Sequence, residues 1–314
     1  MARPSNAPVE APPLRGAADR STVALLFASL RPGQWTKNLF VFAGLLFGGR
    51  LLELDAILLA SATFVIFCAL SGAVYLFNDV ADREGDRVHP LKSSRPIATG
   101  ALPVRTALLT AACLGVAAVS AAAFIRPVLV VVGGAYLTLL LAYSAFLKHV
   151  VIVDVLTIAA GFVLRAVAGA VAVSVPISHW LLVCTTLLAL FLALSKRRHE
   201  LTLLAEGATE HRRILTEYSP YLLDQMVGVV TASTLVAYSI YSTSTETAER
   251  LRTDRLGLTI PFVLYGIFRY LYLVHQKRGG GSPSTLLLTD RPLLACVALW
   301  VVSVVIILYT PFGR

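Results

Sequence analysis

Asn78-Asp79-Val80-Ala81-Asp82-Arg83-Glu84-Gly85-Asp86 follows directly on an apolar run that ends at Phe77. Asp79, Asp82 and Asp86 are spaced i, i+3, i+7, so a helix continuing through them projects all three carboxylates from one face within about two turns. Carboxylates that close repel one another and stay ionised together only around a cation. An all-oxygen set suits Mg2+, which keeps waters and bridges to substrate phosphates. The alternative is a solvated acidic loop capping a membrane helix. His89, Lys92 and Arg95, within ten residues of Asp86, tip the balance. Acids for a metal beside bases for phosphate oxygens make a phosphate-ester site.

The apolar run is one of many. Of 314 residues, 57% are hydrophobic and 14% charged, and the mean hydropathy is +0.75. That is too apolar for a soluble domain of this size and reads as an all-α polytopic membrane protein. The runs are continuous and near twenty residues long, which excludes a β-barrel of short alternating strands. Residues 1–20 hold four prolines and no apolar core, so they read as a disordered cytoplasmic tail rather than a signal peptide. Cys68, Cys113, Cys184 and Cys296 all fall inside apolar runs with no metal spacing, as packing residues do, and no disulfide is expected.

Apolar runs at 39–52, 56–77, 104–124, 127–147, 150–174, 178–195, 222–243, 257–275 and 292–311 give nine candidate transmembrane helices in a single domain over 21–314. The first is short enough to need part of the preceding turn, where Trp35 reads as an interfacial anchor. With the N-terminus inside, 19 of the 27 Lys and Arg lie in the tail and inner loops, counting Arg105 at the edge of the first loop, against 6 outside. This positive-inside bias puts the aspartate stretch on the cytoplasmic side and absorbs much of the net charge of +9, with no call for nucleic acid. The inner loops also hold nearly all the candidate chemistry, so the central cavity opens to the cytoplasm.

The third inner loop begins Ser195-Lys196-Arg197-Arg198-His199-Glu200, cations at a helix C-terminus that either serve topology or face a shared cavity with the first loop. Asp154 opens span 5 much as Asp290 precedes span 9, a sign of a weak twofold internal repeat. Two arginines lie within spans, where ionisable groups are costly and by default functional. Arg165 has Gly161 and Gly169 at i−4 and i+4, which leaves room for a guanidinium, and Asp154 on its stripe. Arg269 lies nearer a helix end and either faces the cavity or snorkels.

With nine spans and Asn78-Asp79-x-x-Asp82-x-x-x-Asp86 after the second, the sequence resembles the UbiA superfamily of intramembrane prenyltransferases. Typical members hold a Mg-bound prenyl diphosphate between this motif and a DxxxD motif in the loop between spans 6 and 7. Here Lys196-Arg197-Arg198-His199-Glu200 stands in its place. That departure is similar to one branch, the decaprenyl-phosphate phosphoribosyltransferases, as are Arg31-Pro-Gly-Gln-Trp-Thr-Lys-Asn38, His89-Pro-Leu-Lys-Ser-Ser-Arg-Pro-Ile-Ala98, and Tyr143-Ser-Ala-Phe-Leu-Lys148 with Asp154.

The resemblance implies transfer of 5-phosphoribose from 5-phosphoribosyl 1-diphosphate to a polyprenyl phosphate, toward lipid-linked arabinose donors and cell wall, in a bacterial inner membrane. A donor and acceptor with several separate phosphates ask for more fixed cations than one prenyl diphosphate does. On this reading Asp79, Asp82 and Asp86 hold Mg2+ and Asn78 orients them. Lys196, Arg197 and His199 grip the 5-phosphate; Lys37, Lys92, Arg95, Tyr143 and Lys148 serve the other phosphates; Asp154 and Arg165 line the cavity. A homo-oligomer stays open. The rival readings are an aromatic polyprenyltransferase with a single acidic motif, and a transporter or Mg2+ pathway, which should carry polar groups on both sides of the midplane.

Overall fold

The computed structural model describes residues 21–88, 92–205, 217–277 and 283–311. The 1–20 tail and His89 lie outside the described residues. Eight helices are long and apolar enough to cross a membrane. They are α3 (Leu54–Ala81), α5 (Val104–Ile125), α6 (Pro127–Ala145), α7 (Val153–Ala172), α8 (His179–Ala205), α9 (Pro220–Thr243), α11 (Ile260–His275) and α13 (Arg291–Tyr309). Short helices join them: α1 (Thr22–Ser29), α2 (Ala43–Phe47), α4 (Arg83–Val88), α10 (Thr245–Leu251) and α12 (Pro283–Thr289). Local chemistry sets several starts. Proline occupies the first turn of α6, α9 and α13, and the side chains of Ser219 and Asp290 accept the orphan N–H groups of Leu222 and Leu293.

The first of the nine expected helices differs. In place of one long helix, 22–47 is built from α1, an eleven-residue 3-10 stretch, Pro32–Phe42, and α2. This segment runs antiparallel to α3 along most of its length. Arg31 meets Asp79, Asn38 meets Cys68 and Ser71, the Phe42 ring lies 5.6 Å from that of Phe64, and Leu45 packs with Ala56 and Ala60. Irregular backbone at that depth is tolerable because it is covered by protein. The closest cover is α7: a Cβ on Gly169 would sit 1.8 Å from the Val41 carbonyl oxygen, and one on Gly44 would sit 2.7 Å from the Ala170 backbone. Gly169 therefore makes room for backbone, and Gly161 alone makes room for Arg165, whose Nη1 would lie 3.5 Å from a Cβ there.

Two apolar cores flank α7. One joins Phe67, Leu70, Leu129 and Tyr136 to Ala168 and Ala172 of α7; the other joins Phe191, Leu223, Ile267 and Leu293 to Val155 of α7. Residues such as Leu109, Val116 and Phe124 on α5 point outward, on the side lipid would occupy. The C-termini of α3, α6, α8 and α11 and the N-termini of α7, α9 and α13 come to one end of the bundle. Most of the buried charge gathers there.

Candidate anion and metal site

The helix of α3 carries the motif only as far as Ala81. Asp82 leaves the α region (φ −91°, ψ 7°), and α4 restarts at Arg83. The break divides the acids. Asp79 and Asp86, both buried, converge on the Arg95 guanidinium, which also lies 3.0 Å from Asp79; Arg31 donates to Asp79, and the Lys92 ammonium stands 3.9 Å from Asp86. Asp82 is exposed and pairs instead with Lys148 at 3.1 Å. All three acids therefore have cationic partners, but they do not share one face as their spacing predicts. Among the described residues no three His, Cys, Asp or Glu stand close enough to hold a metal ion together.

The donor set nonetheless fits a hard cation. Asp79 and Asp86 already hold a cation between them, and the side-chain oxygen of Asn78, the chain neighbour of Asp79, is buried with no hydrogen-bond partner. Unpartnered acceptors of this kind are costly unless something charged or hydrogen-bonding meets them.

A second group closes the same end from α7 and α8. Arg197, 1% exposed, donates from Nε to Asp154 at 2.7 Å and from its other nitrogens to Glu200 and the Tyr143 hydroxyl. Tyr218 donates to the other Asp154 oxygen at 2.9 Å and accepts the Ile152 N–H at 2.7 Å. Burial pushes the Tyr218 phenol up to about 12, so it remains a donor. It pins Ile152 at φ 67°, a conformation a β-branched residue adopts only when its surroundings impose it. Arg197, expected from the sequence to grip a phosphate, has its guanidinium taken up by its own protein's oxygens. Lys196 stands 3.6 Å from Glu200 and is partly exposed, and His199 is half-buried one turn from it on α8.

Arg165 does not pair with Asp154, although they share a stripe: eleven residues put them roughly 16 Å apart along the axis. Its Nε donates to the Asn38 side chain at 2.7 Å, Nη1 to the Gly161 carbonyl at 2.8 Å and Nη2 to the Tyr136 hydroxyl, while the Tyr136 and Phe162 rings lie 4.7 and 5.2 Å from the guanidinium. Ser71 links Tyr136 and Asn38. Next to Asn38, Lys37 makes no hydrogen bond or ion pair among the described residues. Arg269 instead pairs with Asp290 at 2.8 Å at the edge of the bundle.

The sequence reading missed Asn38, Tyr136, Ser71 and Tyr218 as site residues, and placed Arg31 only within a stretch. Asn38 closes the Arg31–Asn38 stretch, so its polarity at the start of an apolar run was a usable signal. Tyr136 and Ser71 sit inside apolar runs and Tyr218 beside a long loop, where nothing local distinguishes them.

A bundle of eight long apolar helices with acids and bases gathered at one buried end defines a multi-pass membrane protein. The UbiA prenyltransferase family profile matches residues 37–199. The decaprenyl-phosphate phosphoribosyltransferase of Mycolicibacterium smegmatis is 33% identical over 301 residues, 93% of this chain and 94% of that protein. That of Corynebacterium glutamicum is 32% identical over 90% of this chain and 86% of its own length. In three dimensions, a UbiA homolog from Archaeoglobus fulgidus bound to GPP and Mg2+ superposes with a TM-score of 0.68 at 19% identity, covering 90% of this chain and 98% of that one. The chain belongs to the UbiA prenyltransferase family.

Proposed function

We propose that the protein transfers 5-phosphoribose from 5-phosphoribosyl 1-diphosphate to a polyprenyl phosphate, with release of diphosphate, at the cytoplasmic face of a bacterial inner membrane. The observation that carries this reading is the full-length likeness to decaprenyl-phosphate phosphoribosyltransferases, since likeness of fold alone leaves the donor open. The site agrees with it. Lysines and arginines outnumber the carboxylates at the closed end of the bundle, as a reaction between a diphosphate, a 5-phosphate and a lipid phosphate requires.

In this reading an oxygen of the lipid phosphate forms a bond to the anomeric carbon of the ribose, and the bond from that carbon to the diphosphate breaks with its electron pair leaving on diphosphate. The lipid phosphate is ionised near neutral pH, so no strong general base is needed. Asp79, Asp86 and Asn78 would hold Mg2+, which supplies charge neutralisation of the leaving diphosphate. Arg31, Arg95 and Lys92 sit on those same carboxylates and would offer their N–H groups to diphosphate oxygens. Lys148 and Asp82 pair at the exposed edge of this end, and Lys196 and His199 are placed for a phosphate of the donor. Arg197 acts as a positioning residue: paired with Asp154 and Glu200, it fixes α8 against the start of α7. The work of catalysis is positioning and electrostatic stabilisation of an oxocarbenium-like state.

The test is incubation of the purified protein with labelled 5-phosphoribosyl 1-diphosphate and decaprenyl phosphate. A labelled lipid product that requires both substrates is expected. Product from a prenyl diphosphate and 4-hydroxybenzoate instead would return the chain to the aromatic prenyltransferases.

A further inference from the structure

Every lysine and arginine of the site has a carboxylate partner except two. Arg31 and Arg95 have Asp79, Lys92 has Asp86, Lys148 has Asp82, Lys196 has Glu200 and Arg197 has Asp154. Arg165 and Lys37 have none among the described residues. Arg165 is 5% exposed and reaches only neutral oxygens, from Asn38, Gly161 and Tyr136. Those contacts use three of its five N–H groups. A buried guanidinium without a counter-charge is costly. Asn38, which accepts from Arg165, is the chain neighbour of Lys37, so the backbone that meets Arg165 also carries a second cation with no ion-pair partner among the described residues.

We propose that Lys37 and Arg165 form a separate subsite that binds a phosphate monoester without a metal. The two cations match the charge of a monoester dianion, and among the described residues neither has a carboxylate within ion-pair distance, in contrast to the cluster at Asp79 and Asp86. Arg165 also lies twelve residues into α7 with Phe162 against its guanidinium and the Phe40 ring 5.0 Å from Phe162. Those apolar walls suit a phosphate that arrives on a hydrocarbon chain. This assignment rests on the proposed function for the ligands it names: the acceptor lipid phosphate and the 5-phosphate of the donor share this chemistry.

The test separates them. Binding of a short-chain polyprenyl monophosphate and of ribose 5-phosphate is measured in detergent with EDTA present, for the wild type, Lys37→Met and Lys37→Arg. Wild-type protein should bind at least one ligand without metal, Lys37→Met should weaken that binding at least tenfold, and Lys37→Arg should restore most of it. Weakening confined to the polyprenyl monophosphate assigns the subsite to the acceptor; weakening confined to ribose 5-phosphate assigns it to the donor; weakening of both shows one subsite open to either. Absence of metal-free binding for both ligands, or equal binding by wild type and Lys37→Met, would overturn the subsite. These measurements do not depend on turnover: a wild type that fails to make phosphoribosyl lipid sinks the proposed function and leaves the binding result to judge the subsite alone.

Discussion

At the residue scale, the buried acids make a prediction. Asp79→Asn or Asp86→Asn should lower turnover more than roughly a hundredfold, the loss of a main electrostatic stabiliser, with unchanged expression in the membrane fraction. Near-normal rates at saturating Mg2+ would take the motif out of the chemistry. Much of this site was legible beforehand, because acids and bases at the ends of apolar runs have few other uses. What could not be read was the pairing: which cation answers which carboxylate depends on the bend at Asp82 and on helices distant in sequence.

At the scale of elements, α7 is fixed from both sides, and each contact can be tested. Glycine to alanine within a helix is ordinarily favourable by roughly 1 kcal/mol. At Gly169, however, the added carbon would meet the Val41 carbonyl oxygen. Gly169→Ala should thus destabilise by roughly 1–3 kcal/mol or more, as overpacking against backbone does, whereas Gly134→Ala, with open space around it, should be neutral or better. Thermal unfolding in detergent compares the two, and equal midpoints would deny the close approach. The Arg197–Asp154 pair should behave as a buried ion pair. Arg197→Met alone leaves Asp154 buried and unpaired at a cost of roughly 3–5 kcal/mol, and adding Asp154→Leu should recover much of it. If the double variant is no more stable than the single one, the pair is not what holds α8 to α7. Spacing foretold the eight long helices within a few residues at most ends. It missed the form of the first crossing, because Pro32, Gly33 and Gly44 favour an irregular path that only contact with α7 explains.

At the scale of the whole molecule, charge sets the orientation. The excess of Lys and Arg on the loops that carry the site predicts that Thr99→Cys is modified by a membrane-impermeant reagent from the cytoplasmic side and Leu52→Cys from the other. Both positions are exposed, at opposite ends of the bundle. Labelling of both from one side would refute the arrangement, and intact cells compared with inverted vesicles supply the measurement. The broken segment at 22–47 bears on the same question through parity. Lying antiparallel along α3, it would add one traverse to those of the eight long helices, and an odd number of traverses would put residues 21 and 311 on opposite faces of the bilayer. A soluble reporter joined ahead of residue 21 should then report from one compartment and the same reporter joined after residue 311 from the other.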